Sequence, residues 1–230
     1  MPFKCKCEVE QYEREEKQRE ILERKRRIEE LFGFSQLGPR YQKATFENWE
    51  QRPGTQIAFR EATNFVKNAE WEKGQGIVFY GPHSTGKTHL AAAIVNSIIP
   101  KLVPVIFYDM PELLAKFRST YREQARHDEL ALLSAIGEAD VVVLDDLGAE
   151  YLTEWAAEKI YELVNTVYRH EKSLIVTTNL DVASGELEER IGPRIFERII
   201  EMCRLVEVKG WSYRRVLAER RMQREGPEKQ

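Results

Sequence analysis

Residues 76–99 read GIVFYGPHSTGKTHLAAAIVNSII, and this stretch decides the fold. At its centre, Gly81 to Thr88 completes the phosphate-loop pattern G-x-x-x-x-G-K-[ST]. Gly81 and Gly86 let the backbone turn tightly, so that N–H groups of the loop converge on a triphosphate. Lys87 reaches the outer phosphates, and the Thr88 hydroxyl is placed for Mg²⁺. Pro82, His83, Ser84, Thr85 and His89 complete the candidate nucleotide-binding stretch. The flanks suit the motif. Ile77-Val78-Phe79-Tyr80 is a short apolar run of the buried-strand kind. His89 to Ile99 reads as a helix whose N-terminus turns its partial positive charge toward the phosphates. A chance glycine-rich turn is the competing reading, and it explains neither flank.

Outward from this motif, apolar runs and helical patterns alternate. Strands are expected at 76–80, 104–109, 140–144, 173–177 and 203–208. Helices are expected at 87–99, 111–122 with 128–136, 153–170, and 184–202 in one or two pieces. Such alternation predicts an α/β fold with helices on both faces of a parallel sheet, a three-layer P-loop architecture. Ahead of it, Pro53 is expected to open a helix running to about Glu70, with Ile57, Ala58, Phe65 and Val66 facing inward. Gly33, Gly38 and Pro39 mark a linker, and Phe46 and Trp49 are expected to plug onto the domain that follows. Residues 8–31 are almost entirely Glu, Lys, Arg and Gln, with Ile21, Leu22, Ile28 and Leu31 roughly on one stripe. This predicts an exposed charged helix, either solvated or used for docking. The division expected is an arm at 1–33, a linker at 34–53 and an ATPase domain at 54–230.

A second half of the site follows the loop. Val141-Val142-Val143-Leu144-Asp145-Asp146 is an apolar strand ending in two carboxylates, the form of a Walker B element. Asp145 is assigned to the Mg²⁺ and Asp146 to the attacking water. Asp in place of a longer Glu predicts slow hydrolysis, because placement errors of about 1 Å cost on the order of a hundredfold in rate. Ile175-Val176-Thr177-Thr178-Asn179 is another apolar strand with a polar end. Asn179 is the candidate to bond the water or the γ-phosphate, although Asn also caps turns. Arg190, Arg194 and Arg198 stand four apart, and Pro193 is expected to start a fresh helix between the first two. An arginine supplied across a subunit boundary can neutralise transition-state charge. Near the C-terminus, Arg214 and Arg215 are rival cations for the same subunit's phosphates.

Composition sets limits. A hydrophobic content of 42% supports a real core, and a net charge of -3 gives no global pull on nucleic acid. Any DNA contact must therefore be local. The segment from Phe117 to Arg126 is the candidate: Lys116, Arg118, Arg122 and Arg126 supply cations and Tyr121 an aromatic face, although a solvated helix face is nearly as good a reading. No apolar run is long enough to span a bilayer, and the N-terminus lacks a signal peptide's apolar region, so a cytoplasmic protein is expected. Cys5, Cys7 and Cys203 do not suggest a disulfide framework.

Five stretches in order resemble the bacterial replicative helicase loaders of the DnaC and DnaI type, within the AAA+ ATPases and the IstB-like superfamily. They are GPRYQKATFENW, GPHSTGKTHLAAAI, VVVLDDLGAE, IVTTNL and GPRIFERI, and the resemblance covers roughly residues 39–216. It implies a five-stranded parallel sheet with the P-loop strand central, and a reduced or absent C-terminal lid. The activity implied is ATP hydrolysis, stimulated by assembly into an ATP-bridged oligomer. The partners implied are single-stranded DNA and the replicative DNA helicase. By position, Lys87 and Thr88 match Walker A, Asp145 and Asp146 Walker B, Asn179 sensor 1, Arg194 the arginine finger and Arg214 the sensor 2 arginine. Such loaders often carry an N-terminal zinc ribbon. Here only Cys5-Lys-Cys7 remains, short of the four ligands such a site takes, so no zinc is expected. Residues 8–31 would then dock helicase as a helical arm. Alternatives are a transposase-helper ATPase sharing the same motor, a small-molecule P-loop kinase, and a DNA-binding scaffold whose ATP site only switches conformation.

Overall fold

The computed structural model describes residues 6–32, 37–119, 126–149 and 153–224. Five strands form the sheet: β1 (Gly76–Tyr80), β2 (Val105–Asp109), β3 (Val141–Asp145), β4 (Ser173–Thr178) and β5 (Cys203–Glu207). Their order across the sheet is β2-β3-β4-β1-β5, with every neighbouring pair parallel. Helices connect and cover them: α1 (Lys6–Phe32), α2 (Gln56–Lys67), α3 (Lys87–Ile98), α4 (Met110–Ser119), α5 (Arg126–Glu138), α6 (Glu154–Arg169), α7 (Glu186–Ile191), α8 (Pro193–Met202) and α9 (Tyr213–Arg224). The phosphate-loop strand β1 is internal, but β4 holds the middle place. This corrects the expectation of a central β1, and it sets Asn179, just past β4, between the phosphate loop and the Walker B strand.

The apolar runs lack simple polar alternation because both sheet faces are buried. Ile77, Phe79, Val141, Val143 and Ile175 enter the core shared with α2 and α3. Val78, Val142, Leu144, Leu174 and Val176 enter the core shared with α4, α5, α6 and α8. Successive strand residues point to opposite faces, so one apolar run fills two cores. Burial of side chains such as Ile77 and Phe79, each fully covered, contributes about 1.5–3 kcal/mol apiece.

Three features differ from the sequence reading. Pro53 does not open α2. Gly54 adopts φ +87°, and Thr55, fully buried, donates its hydroxyl to Arg52 O at 2.8 Å and accepts from Arg52 N at 3.1 Å. The helix starts at Gln56, which turns Ala58, Ala62 and Phe65 inward and leaves Ile57 59% exposed. The expected linker is packed onto the domain already from Leu37, ahead of Phe46 and Trp49, which plug onto the core as expected. Leu37 and Ala44 are buried, and the Asn96 amide on α3 donates to Tyr41 O at 2.8 Å and Ala44 O at 2.7 Å. Finally, the end of α1 joins the ATPase core. Ile28 is buried, Arg24 binds Glu138 O and Asp140 Oδ1 (2.6 Å), and Arg27 binds Glu138 Oε1 (2.6 Å). The preceding turns, residues 9–20, are exposed helix.

Candidate functional site

The carboxyl ends of β1, β3 and β4 meet one cleft of about 380 Å³. Its walls include His83, Ser84, Gly86, Lys87, Thr88, His89, Asp146, Asn179 and Arg214. Placement follows from the parallel sheet, whose strands all deliver their following loops to one edge. The phosphate loop turns through residues that need unusual backbone angles: Gly81 at φ +128°, Ser84 at +62° and Gly86 at +108°. Thr85 is buried and closes the loop internally, its hydroxyl donating to Pro82 O at 3.0 Å. A Cβ at Gly86 would stand 2.6 Å from the Trp49 ring, so the loop also needs glycine there for space.

Lys87 opens α3 and turns back into the loop. Its ammonium donates to Gly81 O and Pro82 O, both at 2.8 Å, and to Asn179 Oδ1 at 2.7 Å. Burial lowers its pKa to about 8, against the pull of Asp146 and Asp145. The Asn179 amide then donates to Asp146 Oδ1 at 2.6 Å. Lys87, Asn179 and Asp146 thus form one hydrogen-bonded chain across three elements. Asp145 is buried and also bonded by Thr88. Burial pushes its carboxyl up to about 6, opposed by hydrogen bonds from Thr177 and Thr88 and reinforced by the charges of Asp146 and Asp109. A buried carboxylate beside a Thr hydroxyl, with excess negative charge around it, is a donor set that suits a hard divalent cation. Asp145 and Thr88 fit Mg²⁺, which would supply charge neutralisation to bound phosphates.

Sequence reasoning missed part of the wall. Arg40, Tyr41, Asn48, Trp49 and Arg52 line the cleft from the segment before α2. Arg52 donates to Thr85 O at 2.6 Å and lies over the rings of Trp49 (5.3 Å) and Tyr213 (4.8 Å). Tyr213 is tied back to the loop through its N–H to Ser84 O at 2.8 Å, and its hydroxyl donates to Glu50 Oε1 at 2.6 Å. His89, expected to touch nucleotide, donates Nε2–H to Thr45 O at 3.0 Å and tilts against Trp49. Burial lowers its pKa, which keeps it neutral. Asp109 was also missed, although it ends an apolar strand as Asp145 does and sits beside it in register. Burial raises its pKa.

Other candidates lie elsewhere. Gly192 at φ +85° separates α7 from α8, so Arg190 and Arg194 belong to different helices. Arg194 is exposed at the start of α8, outside the cleft. Arg198 stacks over Tyr161 (4.7 Å) and Tyr168 (5.7 Å) and donates to Arg194 O. Arg214 lines the cleft and Arg215 does not. On α4, Lys116 is half-buried and Arg118 is exposed, lying 4.8 Å over the Trp155 ring, while Phe117 is buried. Tyr121, Arg122 and Cys5 lie outside the described residues, as does the side chain of Arg126.

A parallel sheet of this order, with a phosphate loop after β1 and paired carboxylates after β3, defines an α/β P-loop ATPase fold of the AAA+ type. The chain belongs to the IstB-like ATP binding protein family, whose model matches residues 10–221. It is 27% identical over 183 residues to the replicative helicase loader DnaI of Bacillus subtilis (strain 168), covering 73% of this chain and 57% of that protein. It therefore spans less than two thirds of that relative's length. Against the replicative helicase loader DnaC of Escherichia coli (strain K12) it is 25% identical over 182 residues, 77% of this chain and 73% of the relative. The crystal structure of the DnaC helicase loader superposes with a TM-score of 0.68 at 29% identity, covering 75% of this chain and 100% of that one. AMPPCP-bound DnaA from Aquifex aeolicus shares the fold, with a TM-score of 0.63 at 20% identity over 85% of this chain and 59% of that one.

Proposed function

We propose that this protein is an ATP-dependent loader of a replicative DNA helicase, and that it hydrolyses ATP slowly. The observation that supports the ATPase reading best is the Lys87–Asn179–Asp146 chain, which joins a phosphate ligand to a strand-end carboxylate through one amide. The loader reading rests on the likeness to DnaI and DnaC. Lys87 exchanges its loop carbonyls for phosphate oxygens, and Thr88 with Asp145 would hold Mg²⁺, which would neutralise phosphate charge. Asp146 orients the attacking water and accepts its proton, with Asn179 fixing the carboxylate's direction. Arg214 meets the phosphates from α9 within the subunit. Arg194, exposed and outside its own cleft, acts on a neighbour's nucleotide, so the site is completed by self-association. Lys116 and Arg118 contribute a local basic surface for single-stranded DNA, and the exposed turns of α1 dock the helicase.

Capture of the cognate replicative helicase, with and without ATP and single-stranded DNA, tests this function. ATP-dependent capture supports it; capture of a transposase in its place would establish the transposase-helper reading instead.

A further inference from the structure

Thr177 takes no part in the mechanism above, yet its side chain is bonded to both Walker B residues behind the site. It lies on β4, fully buried, one strand across from the Walker B carboxylates. Its hydroxyl donates to Asp145 Oδ1 at 2.5 Å and accepts from the Asp146 N–H at 2.9 Å. Its carbonyl accepts from Leu147 N at 2.9 Å. Residues 145, 146 and 147 are therefore all fastened to one residue. The β3–β4 register ends at Leu144↔Val176, so these bonds begin where the backbone ladder stops.

The local chemistry gives the arrangement a purpose. Asp146 adopts φ +59°, a left-handed conformation that costs a non-glycine residue about 1–2 kcal/mol. Such a conformation persists where surrounding bonds over-determine it, and the Thr177 hydroxyl holds the Asp146 amide there. The same hydroxyl spends its one proton on Asp145, which fixes that carboxylate's rotamer and leaves its remaining lone pairs for Thr88 and a cation. Valine would fill the same space in a buried strand and is at least as good a strand former. A hydroxyl here, with both its capacities used, serves the carboxylates rather than the packing.

We infer that Thr177 is a positioning residue for the magnesium centre: its hydroxyl sets the direction of Asp145 and the backbone of Asp146 without touching nucleotide. The inference rests on the Mg-ATP reading of the cleft. Outer partners that orient metal ligands are worth about ten- to a hundredfold in metal affinity.

The test titrates Mg²⁺ against a fluorescent, non-hydrolysable ATP analogue bound to the full chain. Thr177→Val removes both hydroxyl bonds at constant shape, and Thr177→Ser restores them with one methyl fewer. Thr177→Val should bind the analogue without Mg²⁺ as the natural protein does, and need about tenfold more Mg²⁺ for half-saturation. Thr177→Ser should return the midpoint to near its natural value. If Thr177→Val does not fold, Thr177→Cys, similar in volume and a weak donor, should shift the midpoint in the same direction. An unmoved midpoint in Thr177→Val, or in Thr177→Cys where that variant carries the test, overturns the inference. A serine variant as impaired as the valine variant overturns it too, because shape would then be the cause. Failure of the natural protein to bind the analogue at all would instead overturn the Mg-ATP reading itself.

Discussion

Replacing Asn179 with Ala cuts the hydrogen-bonded chain at its middle. The amide now accepts from Lys87 at 2.7 Å and donates to Asp146 at 2.6 Å. Hydrogen bonds to charged groups contribute about 1.5–3 kcal/mol each. The residue is half-buried at a cleft open to solvent, so the lower end applies and the two bonds amount to about 3 kcal/mol. They act in opposite directions. The Lys87 bond belongs to the nucleotide-free state and competes with phosphate, so its loss favours binding. The Asp146 bond aims the carboxylate that meets water, and losing about 1.5 kcal/mol there slows hydrolysis about tenfold. Single-turnover hydrolysis by assembled protein should therefore fall by that factor. Affinity for a non-hydrolysable Mg-nucleotide should be kept or should rise, by up to about tenfold. A rate within about threefold of the natural protein's refutes the reasoning, and so does a loss of affinity as large as the loss of rate.

Further expectations follow from other contacts. Lys87 has its pKa lowered to about 8, below the lysine reference of about 10.4. Burying its charge therefore costs stability below pH 8, and the cost is relieved as pH rises through that value. Phosphate binding restores the charged form, so Mg-free nucleotide binding at pH 8 should take up about half a proton. Calorimetry in buffers of different ionisation enthalpy reads this directly, and zero uptake contradicts it. Arg194→Ala should bind ATP normally and lose assembly-dependent hydrolysis. Mixing it with Lys87→Ala should recover activity at mixed interfaces, and no recovery counts against action in trans. Deleting residues 1–20 should leave thermal stability and nucleotide binding unchanged while weakening helicase capture. Deleting through 33 should also destabilise the domain by at least the cost of emptying the Ile28 site, about 2–5 kcal/mol. Undiminished capture by the shorter deletion would remove the arm from the docking role.

Much of the fold was legible because its signals are local. Strands β1, β2 and β3 are apolar runs closed by Gly81, Asp109 and Asp145, and all five observed strands differ from the expected bounds by about a residue. Gly81, Gly86 and Lys87 announce a phosphate loop by identity and spacing alone. What escaped depends on tertiary approach. Ile57 looks like a core residue until α2 packs with Ala58, Ala62 and Phe65 inward, which leaves it on the outer face. Ile28 and Arg24 look like the rest of a solvated helix until α5 and Asp140 arrive to meet them. Arg52 carries no motif and Trp49 is expected only to pack on the domain, so only their approach to Thr85 and Gly86 places them at the cleft. Thr177 reads as an ordinary strand residue, because its importance lies in the neighbouring strand's carboxylates.

If an ATP-dependent site on this chain drives capture of a replicative helicase, the dissociation constant for the cognate helicase should differ with ATP, without nucleotide, and with ATP in Lys87→Ala. Tight binding is expected in the first case alone. Equal affinity in all three, or no binding in any, would contradict it.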